Sequence, residues 1–475
     1  MESSVPNFNK ARINLNNFLD LLEGIEETLP KIKKNLYKEF KDKEKEKDKF
    51  VEEYSYDREY NEENKLIRFK MPFDKQRQMN TLIREIGKSI KIARAIPTNF
   101  FVSIISEYDA YIGNLIKEIY LNKPDIIKSL EKSLTFSEIM EFGSIDKIKE
   151  FVIEKDIETT LRKSHLEQLI SLEKKFSLPL TKGLKILPEF IELTERRNLF
   201  VHCNGIVSSQ YIKNCSEVKY NIKDIKVGTA LYASNEYIFR AISIISELVI
   251  KLTHVLWFNI FKGQEECTPA YSSLIQTSYE LLQKEKYDLC IEILPLFSES
   301  KSKSLDDITR RYLVINLAIA YKFSNQSDKC SHLLSLHDWS AVSYLFKMAE
   351  RILSDDYEKA AENMKKAYLA EEFRKEFLID WPLFKFFRET DEFKAACEDL
   401  FSQDEMNQLI ISNESQERCD DNEAPSMAEV KAEVEAEAAA EAEAEAEAEA
   451  EAEAEAEAEA EAEAEAEAEA GKVNV

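Results

Sequence analysis

The chain has 475 residues, enough for two or three domains with large cores. Only 9 are glycine, which favours helices, and neither a Walker-type loop nor a dinucleotide fingerprint is present. The formal net charge is −26, but residues 427–475 hold 19 Glu against two Lys, a net −17 that leaves −9 elsewhere. A moderately acidic body argues against broad nucleic-acid affinity, which normally relies on basic surface, so any RNA contact should be local, around Arg196, Arg197 and the lysines of 213–226.

The cysteines and the apolar segments predict a cytoplasmic protein. Seven cysteines are scattered without a CxxC pair or metal-ligand spacing, so we expect no disulfides and no metal site. The first residues lack the basic start and apolar run of a secretory signal. The most apolar stretch, 241–261, is interrupted by Glu247, Lys251 and His254, which predicts a core helix rather than a membrane span. We therefore expect no membrane partner and no cofactor.

The N-terminal region is predicted to be helical. Apolar residues follow helical spacing over 15–29, and Pro30 is expected to end that helix. The run 41–49 alternates Lys with Asp or Glu, which is typical of a solvated helix face or a mobile arm. A second helix is predicted over 74–95 and should end before Pro97.

The middle of the chain predicts four helices and one short extended segment. The helices are expected over 98–121, 156–176, 188–203 and 234–262. Residues 218–227 alternate enough for a short strand or hairpin. In the third helix, Pro188 suits the first turn, and Asn204 with Gly205 supplies a left-handed stop.

The third of these helices places an arginine where packing does not explain it. One arc of its helical wheel is apolar and should face a core or a partner; its members are Phe190, Leu193, Phe200 and Val201. Arg197 falls in the middle of that arc. Burying a guanidinium there without an anion would cost several kcal/mol, so an anion is expected.

A polar face borders this arginine. Glu195, Asn198 and His202 follow i, i+3, i+7 spacing. His202 lies in the last turn, where the helix dipole favours its protonated form by up to about 2 kcal/mol, as suits a proton donor.

The same residues also have purely structural interpretations. His202 can act as a surface cap, and Arg197 can extend its head group to solvent. Glu192 and Arg196 can form an ordinary i, i+4 surface pair.

This segment resembles the HEPN domain of prokaryotic toxin and phage-defence ribonucleases. That family has an arginine, then a polar residue, then a histidine four to six residues after the arginine, late in a four-helix domain. Arg197, Asn198 and His202 match the pattern, with Glu195 upstream. Three other segments resemble the family's first long helix, its second helix and the part after the histidine: 100–113, 162–169 and 207–212. The resemblance covers about residues 95–265.

The resemblance implies a metal-independent endoribonuclease with a composite site in a homodimer. Arg197 would hold the scissile phosphate, His202 would act as general acid or base, and Asn198 would orient either group. Glu195 would be an orienting partner. The implied partners are RNA and an antitoxin or regulatory protein, for which modification at Tyr211 is one route of control. The alternative is a non-catalytic HEPN and repeat scaffold that binds a partner or a nucleotide.

The C-terminal part predicts a helical repeat followed by a disordered segment. Helix pairs recur over 270–405 at a mean of about 35 residues, near the tetratricopeptide period. Four lead positions each have a small residue three later and a large apolar residue seven later: Tyr287, Ser327, Tyr357 and Phe393. The units are irregular, and a non-repetitive bundle is the alternative. From 427 the chain alternates Glu and Ala, which provides no apolar core.

These observations predict an all-α protein. The expected order is an N-terminal helical region (1–95), a HEPN-like four-helix bundle (96–265), an irregular tetratricopeptide-like helical domain (266–410) and a disordered Glu/Ala-rich acidic tail (411–475).

Overall fold

The all-α fold class is confirmed. The computed structural model describes residues 6–61, 66–128, 134–223, 225–299 and 305–402. The described residues are mostly helical, and two short strands are the only ones among them. The chain divides into two compact units, Met1–Thr390 and Asp391–Val475. The predicted disorder of 411–475 lies outside the described residues, and the predicted domain boundaries stay predictions.

The chain begins with two long helices joined by a β-hairpin, and seven further described helices lead to the end of the central region. The first elements are α1 (Asn9–Tyr54), β1 (Tyr56–Asn61), β2 (Leu66–Lys70) and α2 (Phe73–Asn122). The strands pair antiparallel, with Tyr56 opposite Lys70. Next come α3 (Pro124–Lys128), α4 (Phe136–Phe142), α5 (Ile145–Leu161), α6 (His165–Phe176), α7 (Leu187–His202), α8 (Ser209–Glu217) and α9 (Asn235–Ile260).

The predicted helix ends at two prolines are wrong. Pro30 lies inside α1 and Pro97 lies inside α2, so the helix predicted over 98–121 is the second half of one 50-residue helix. A proline inside a helix costs about 3 kcal/mol. Leu29 and Pro97 are both buried, so tertiary packing at these positions outweighs local propensity.

The helix predicted over 156–176 is two helices. The break follows Leu161, and Ser164 caps α6 by accepting from the Glu167 backbone while the Glu167 carboxylate accepts in return. This capping box is a helix-start signal that the helical periodicity concealed. The other two predicted helices of this region are confirmed within two residues, as α7 and α9.

Helix α9 is the central core helix. It contacts α1, α2, α7, α10 (Gln264–Gln283) and α11 (Tyr287–Ile293). Among the described residues it is the one helix long and apolar enough to cross a membrane, but 78% of its most apolar window is buried inside the protein. Its rings contact residues on both sides of it in the sequence, with Trp257 4.7 Å from Phe8 and Phe258 stacked 4.0 Å from Tyr271 of α10.

The C-terminal helices form successive hairpins. After α10 and α11 come α12 (Pro295–Ser298), α13 (Asp307–Phe323), α14 (Ser327–Ser335), α15 (Tyr344–Leu353), α16 (Tyr357–Leu369) and α17 (Phe377–Asp380). Two short 3-10 helices follow, Pro382–Phe384 and Phe387–Glu389, and α18 (Asp391–Leu400) lies in the second unit.

Three of these hairpins share one turn geometry. A residue with positive φ precedes the second helix in each: Glu285 (55°), Asn325 (59°) and Asp355 (58°). The next backbone N–H donates to the carbonyl five residues earlier, at 2.8, 2.8 and 3.0 Å. The predicted lead positions 287, 327 and 357 begin the second helices, and the small residues three later are at most 1% exposed. The recurrence is therefore present at three of the four predicted lead positions, whereas Phe393 is the third residue of α18 and does not begin it. The tetratricopeptide resemblance stays a prediction.

The core of α9 generates a pH prediction. His254 is 0% exposed, and its Nδ1 lies 2.8 Å from the Ile250 carbonyl oxygen. Burial lowers its pKa from 6.5 to about 4. In the unfolded chain His254 takes up a proton near pH 6.5, but in the folded chain it does so only near pH 4. The stability that comes from burying the neutral ring is therefore fully present above pH 6.5 and is lost as the pH falls toward 4. When the pH is lowered from 7.5 to 4.5, the free energy of unfolding measured with urea should fall by about 2 to 3 kcal/mol less in His254→Leu than in wild type.

Exposed His332 on α14 provides the matched control, because His332→Leu should keep the full pH dependence. An unchanged pH dependence in His254→Leu would contradict the assignment.

Candidate functional site

The motif helix α7 is placed by its own termini. Pro188 lies in the first turn, and α7 ends at His202, followed by left-handed Asn204 (φ 49°) and Gly205 (φ 80°), as predicted. The Gly205 N–H donates to the Leu199 carbonyl at 3.1 Å. A Cβ on Gly205 would lie 2.8 Å from the Leu231 oxygen, so both conformation and space require glycine here.

The buried face of α7 changes along its length. Residues 190–194, about one and a half turns in its first part, are all buried. In the second half, Leu199 is 3% exposed, whereas Val201 is 47% exposed. The predicted apolar arc is therefore wrong at Val201. The reason is that Leu199, on the opposite side of the wheel, packs against a cluster on and around α8 that includes Tyr211.

The four predicted site residues lie on the same side of α7 as the exposed Val201. At 100° per residue, five side chains follow one another across about 160° of the helix surface, in the order Arg197, Val201, Asn198, His202 and Glu195. His202 is exposed and is one turn from Asn198. Arg197 and His202 are about 140° apart, so one copy of the helix does not bring them into contact.

Arg197 has an unsatisfied guanidinium. Its Nε is buried and has no hydrogen-bond partner among the described residues. Its Nη1 donates to the Asn198 Oδ1 at 3.2 Å. The side chain therefore keeps capacity for an anion at the edge of the exposed face.

Glu195 faces a polar group that the sequence did not reveal. Burial raises the pKa of Glu195, and a hydrogen bond from Asn214 together with nearby His165 opposes this only in part. The His165 Nε2 lies 3.1 Å from the Asp109 Oδ1, although neither atom has an aligned hydrogen-bond partner in the described part of the chain. Asp109 and His165 belong to α2 and α6, so no linear spacing could indicate them.

Arg196 belongs to the core rather than to an RNA surface. Its Nε donates to Glu192 at 2.7 Å, and the two side chains are 11% and 2% exposed. Glu192 also accepts from the Tyr211 hydroxyl at 2.7 Å and the Tyr237 hydroxyl at 2.8 Å, and Arg196 stacks on the Tyr237 ring. The surface-pair interpretation and the expected RNA contact of Arg196 are therefore wrong.

This network also excludes Tyr211 as an accessible modification site in the folded chain. Tyr211 is 1% exposed and its hydroxyl is used by Glu192. Burial, followed by the charge of Glu192, raises the pKa of Tyr211 well above its usual value.

The strand predicted over 218–227 is wrong for the described residues of that range. Instead, residues 205–207 bond with 228–231: Val207 donates to Thr229, and Leu231 donates to Gly205, each at 2.9 Å. The apolar residues that suggested a strand, including Tyr220 and Ile222, pack on the α8 cluster. They cover the side of α7 that lies away from the exposed face.

The comparisons with known proteins gave no match, whether with family models, curated proteins or solved structures. Among the described residues, no group of three or more His, Cys, Asp or Glu side chains is arranged to hold a metal ion. The assignment of this site therefore depends on the residues and geometry of α7 itself.

The two adjacent arginines should differ in their effect on stability. Arg196→Ala leaves the buried Glu192 charge unpaired and should lower the free energy of unfolding by about 3 kcal/mol or more. Arg197→Ala removes a guanidinium that has no acidic partner among the described residues, and it should change the free energy of unfolding by less than about 0.5 kcal/mol or raise it. Urea unfolding at pH 7 measures both, and equal losses would contradict the assignment of Arg196 to structure and Arg197 to a site.

Proposed function

We propose that this protein is a metal-independent endoribonuclease that uses a composite site formed between two copies of α7. The observation that supports this most is the buried, unpartnered Arg197 Nε beside an exposed face with Asn198 and His202. A guanidinium in this position gains from a phosphate, which supplies both charge and acceptor oxygens in the geometry that arginine binds well.

RNA needs few protein groups for its own cleavage. Its 2′ oxygen attacks the adjacent phosphorus while the 2′-OH proton passes to a base. The bond from phosphorus to the 5′ oxygen breaks, and an acid gives that oxygen a proton. The products are a 2′,3′-cyclic phosphate and a 5′-OH.

Each site residue has a role in that reaction. Arg197 stabilises the charge that develops on the phosphate oxygens. His202 is the general acid or base, and Asn198 orients His202 or the phosphate. The half-buried Glu195 acts weakly, as an orienting partner.

Pairing follows from the geometry of one helix. Arg197 and His202 lie about 140° apart on α7, so a second copy is needed to bring an arginine and a histidine together across a two-fold axis. Val201, 47% exposed between them, gives that interface an apolar centre. Charged and polar side chains around an apolar centre are the usual anatomy of an interface.

The proposed setting is toxin or phage-defence activity in the cytoplasm, with RNA as substrate and an antitoxin or regulatory protein as controlling partner. The second candidate is a non-catalytic scaffold, because the exposed Val201 face would equally suit a bound protein. The two functions differ in one requirement: only the enzyme needs a group that can transfer a proton at position 202.

The enzyme should cut RNA in the presence of EDTA, and His202→Ala should slow cleavage by about 100-fold or more. Arg197→Ala should lose cleavage to a similar degree. Cleavage is followed on gels with a mixed-sequence RNA, and the 2′,3′-cyclic end identifies the reaction.

His332→Ala is the control for the histidine, since His332 is also exposed on a helix and should cut at the wild-type rate. Undiminished cleavage by folded His202→Ala or Arg197→Ala would overturn the site. An intact wild-type chain that binds RNA without cutting it would favour the scaffold.

Pairing should be visible in complementation. Inactive Arg197→Ala and inactive His202→Ala chains, mixed and allowed to exchange, should recover up to about a quarter of wild-type activity, because half of the dimers then hold one intact pair out of two. Val201→Glu should abolish both sedimentation as a dimer and cleavage.

Leu369→Glu is the control for Val201→Glu, because Leu369 is 77% exposed on α16 and should leave the dimer intact. A strict monomer that still cuts RNA would contradict the pairing.

A further inference from the structure

The first two helices present a positive surface that the site does not use. Residues 73–95 of α2 contain 6 Lys and Arg against 2 Asp and Glu, although the chain as a whole is acidic. Four exposed cations and one aromatic ring lie within about 60° of the same helix face: Phe73, Arg77, Arg84, Lys88 and Lys91. With Arg94 at its edge, we call this set the α2 row. Its cations extend over about 26 Å, from 77 to 94.

The α2 row faces away from α1. Ser89, which accepts from Lys43 of α1 at 2.8 Å, and Met79, buried against Phe50, lie on the other side of α2. The row is therefore an open surface of this helical hairpin.

Most of these cations have no acidic partner in the described part of the chain. Lys88 pairs with Glu85 at 2.9 Å, whereas no ion pair is formed by Arg77, Arg84 or Lys91. Unpaired cations spaced along one line suit a chain of phosphates, because each contact releases a counterion.

One end of the α2 row reaches the motif helix. Arg94 lies 6.0 Å from the Tyr232 ring, and Tyr232 accepts from Arg196 through its backbone carbonyl. Two turns beyond Arg94, Phe101 packs edge-on against Phe200 of α7, with ring centroids 5.7 Å apart. A strand along the row would thus arrive at the C-terminal half of α7.

The other end offers a stacking surface. Phe73 is 90% exposed, at the first residue of α2 and one turn from Arg77. An aromatic ring next to a line of cations is the combination that binds single-stranded nucleic acid, since bases stack on the ring while phosphates meet the charges.

We infer that the α2 row binds single-stranded RNA and leads it to the α7 site. This inference rests on the proposed function for its purpose, but the binding itself can be tested without cleavage. The occupant is a single strand because the cations form one line and the exposed ring requires an unpaired base.

A second row on α1 supplies a matched control. Five exposed lysines lie within about 60° on the outer face of α1, away from α2: Lys31, Lys34, Lys38, Lys45 and Lys49. Asp42 interrupts them, and residues 31–49 contain five acidic residues against nine lysines. Equal charge reversals on the two rows change the net charge of the protein equally.

The experiment measures RNA binding by fluorescence anisotropy with a labelled single strand, in EDTA and in the His202→Ala background, so that cleavage does not interfere. The triple change Arg77→Glu, Arg84→Glu, Lys91→Glu should lower the salt slope of binding by about 2, since each lost phosphate contact on a single strand contributes about 0.7. That slope corresponds to roughly 100-fold weaker binding at 0.1 M salt than the parent. Phe73→Ala should weaken binding about fivefold or more.

The control Lys34→Glu, Lys38→Glu, Lys45→Glu should retain most of the parent's affinity. An equal loss of RNA affinity in both triples would show general charge attraction and would contradict a specific role of the α2 row. An α2 triple that keeps the parent's affinity would contradict it as well. Equal or tighter binding of duplex RNA or of poly-glutamate by the parent would overturn the assignment to single-stranded RNA.

Two further measurements separate this inference from the proposed function. If the glutamate triple unfolds, the neutral triple with Gln at the same positions replaces it. If the wild-type chain never cuts RNA but its RNA binding depends on the α2 row, the binding inference is supported and the proposed nuclease activity is contradicted. If wild type cuts RNA and the α2 triple introduced into it cuts at the same rate, the nuclease activity is supported and the role of the α2 row is contradicted.

Discussion

The hydrogen bonds to the buried carboxylate of Glu192 are the interactions on which the central region depends. At 2% exposure this carboxylate accepts from Arg196 on its own helix, Tyr211 on α8 and Tyr237 on α9. A buried charge is tolerated only when its lone pairs are satisfied, so these three donors have to arrive together. The network thereby fixes the rotation of α7 relative to α8 and α9, and with it the direction of every other side chain on α7.

That fixed rotation gives two consecutive arginines different surroundings. Arg196 is directed into the core and Arg197, 100° further round, is directed to the edge of the exposed face. The same rotation leaves Asn198, Val201 and His202 on the outer side. A site of this kind needs no loop or metal to position it, because a rigid helix holds each residue.

Local chemistry predicted much of the fold. Pro188, Asn204 and Gly205 define the ends of α7 through φ preferences that any chain shares, and the structure agrees. The prolines at 30 and 97 lie inside helices, contrary to their local preference, because burial of their surroundings is a tertiary property. All-α character follows from composition and periodicity alone.

The candidate site was predictable only where its residues are close in sequence. Arg197, Asn198 and His202 could be recognised because they lie on a single helix. Two of the three donors to Glu192, Tyr211 and Tyr237, lie 19 and 45 residues away, and Asp109 approaches His165 from another helix, so none of these contacts has a linear signal. Charge patterning likewise identified lysine-rich segments, but the side of each helix that remains open depends on the pairing of α1 with α2.

The continuity of α2 has a mechanical consequence. One helix joins the β-hairpin end at Phe73 to the core, and Pro97, where it enters the core, has no amide hydrogen for the Ala93 carbonyl. Helices bend at such positions. From Pro97 to Phe73 the axis measures about 36 Å, so a 10° bend would displace the far end by about 6 Å. A small change of angle at Pro97, close to α7, would therefore move the hairpin end of α2 much further than the end beside the core.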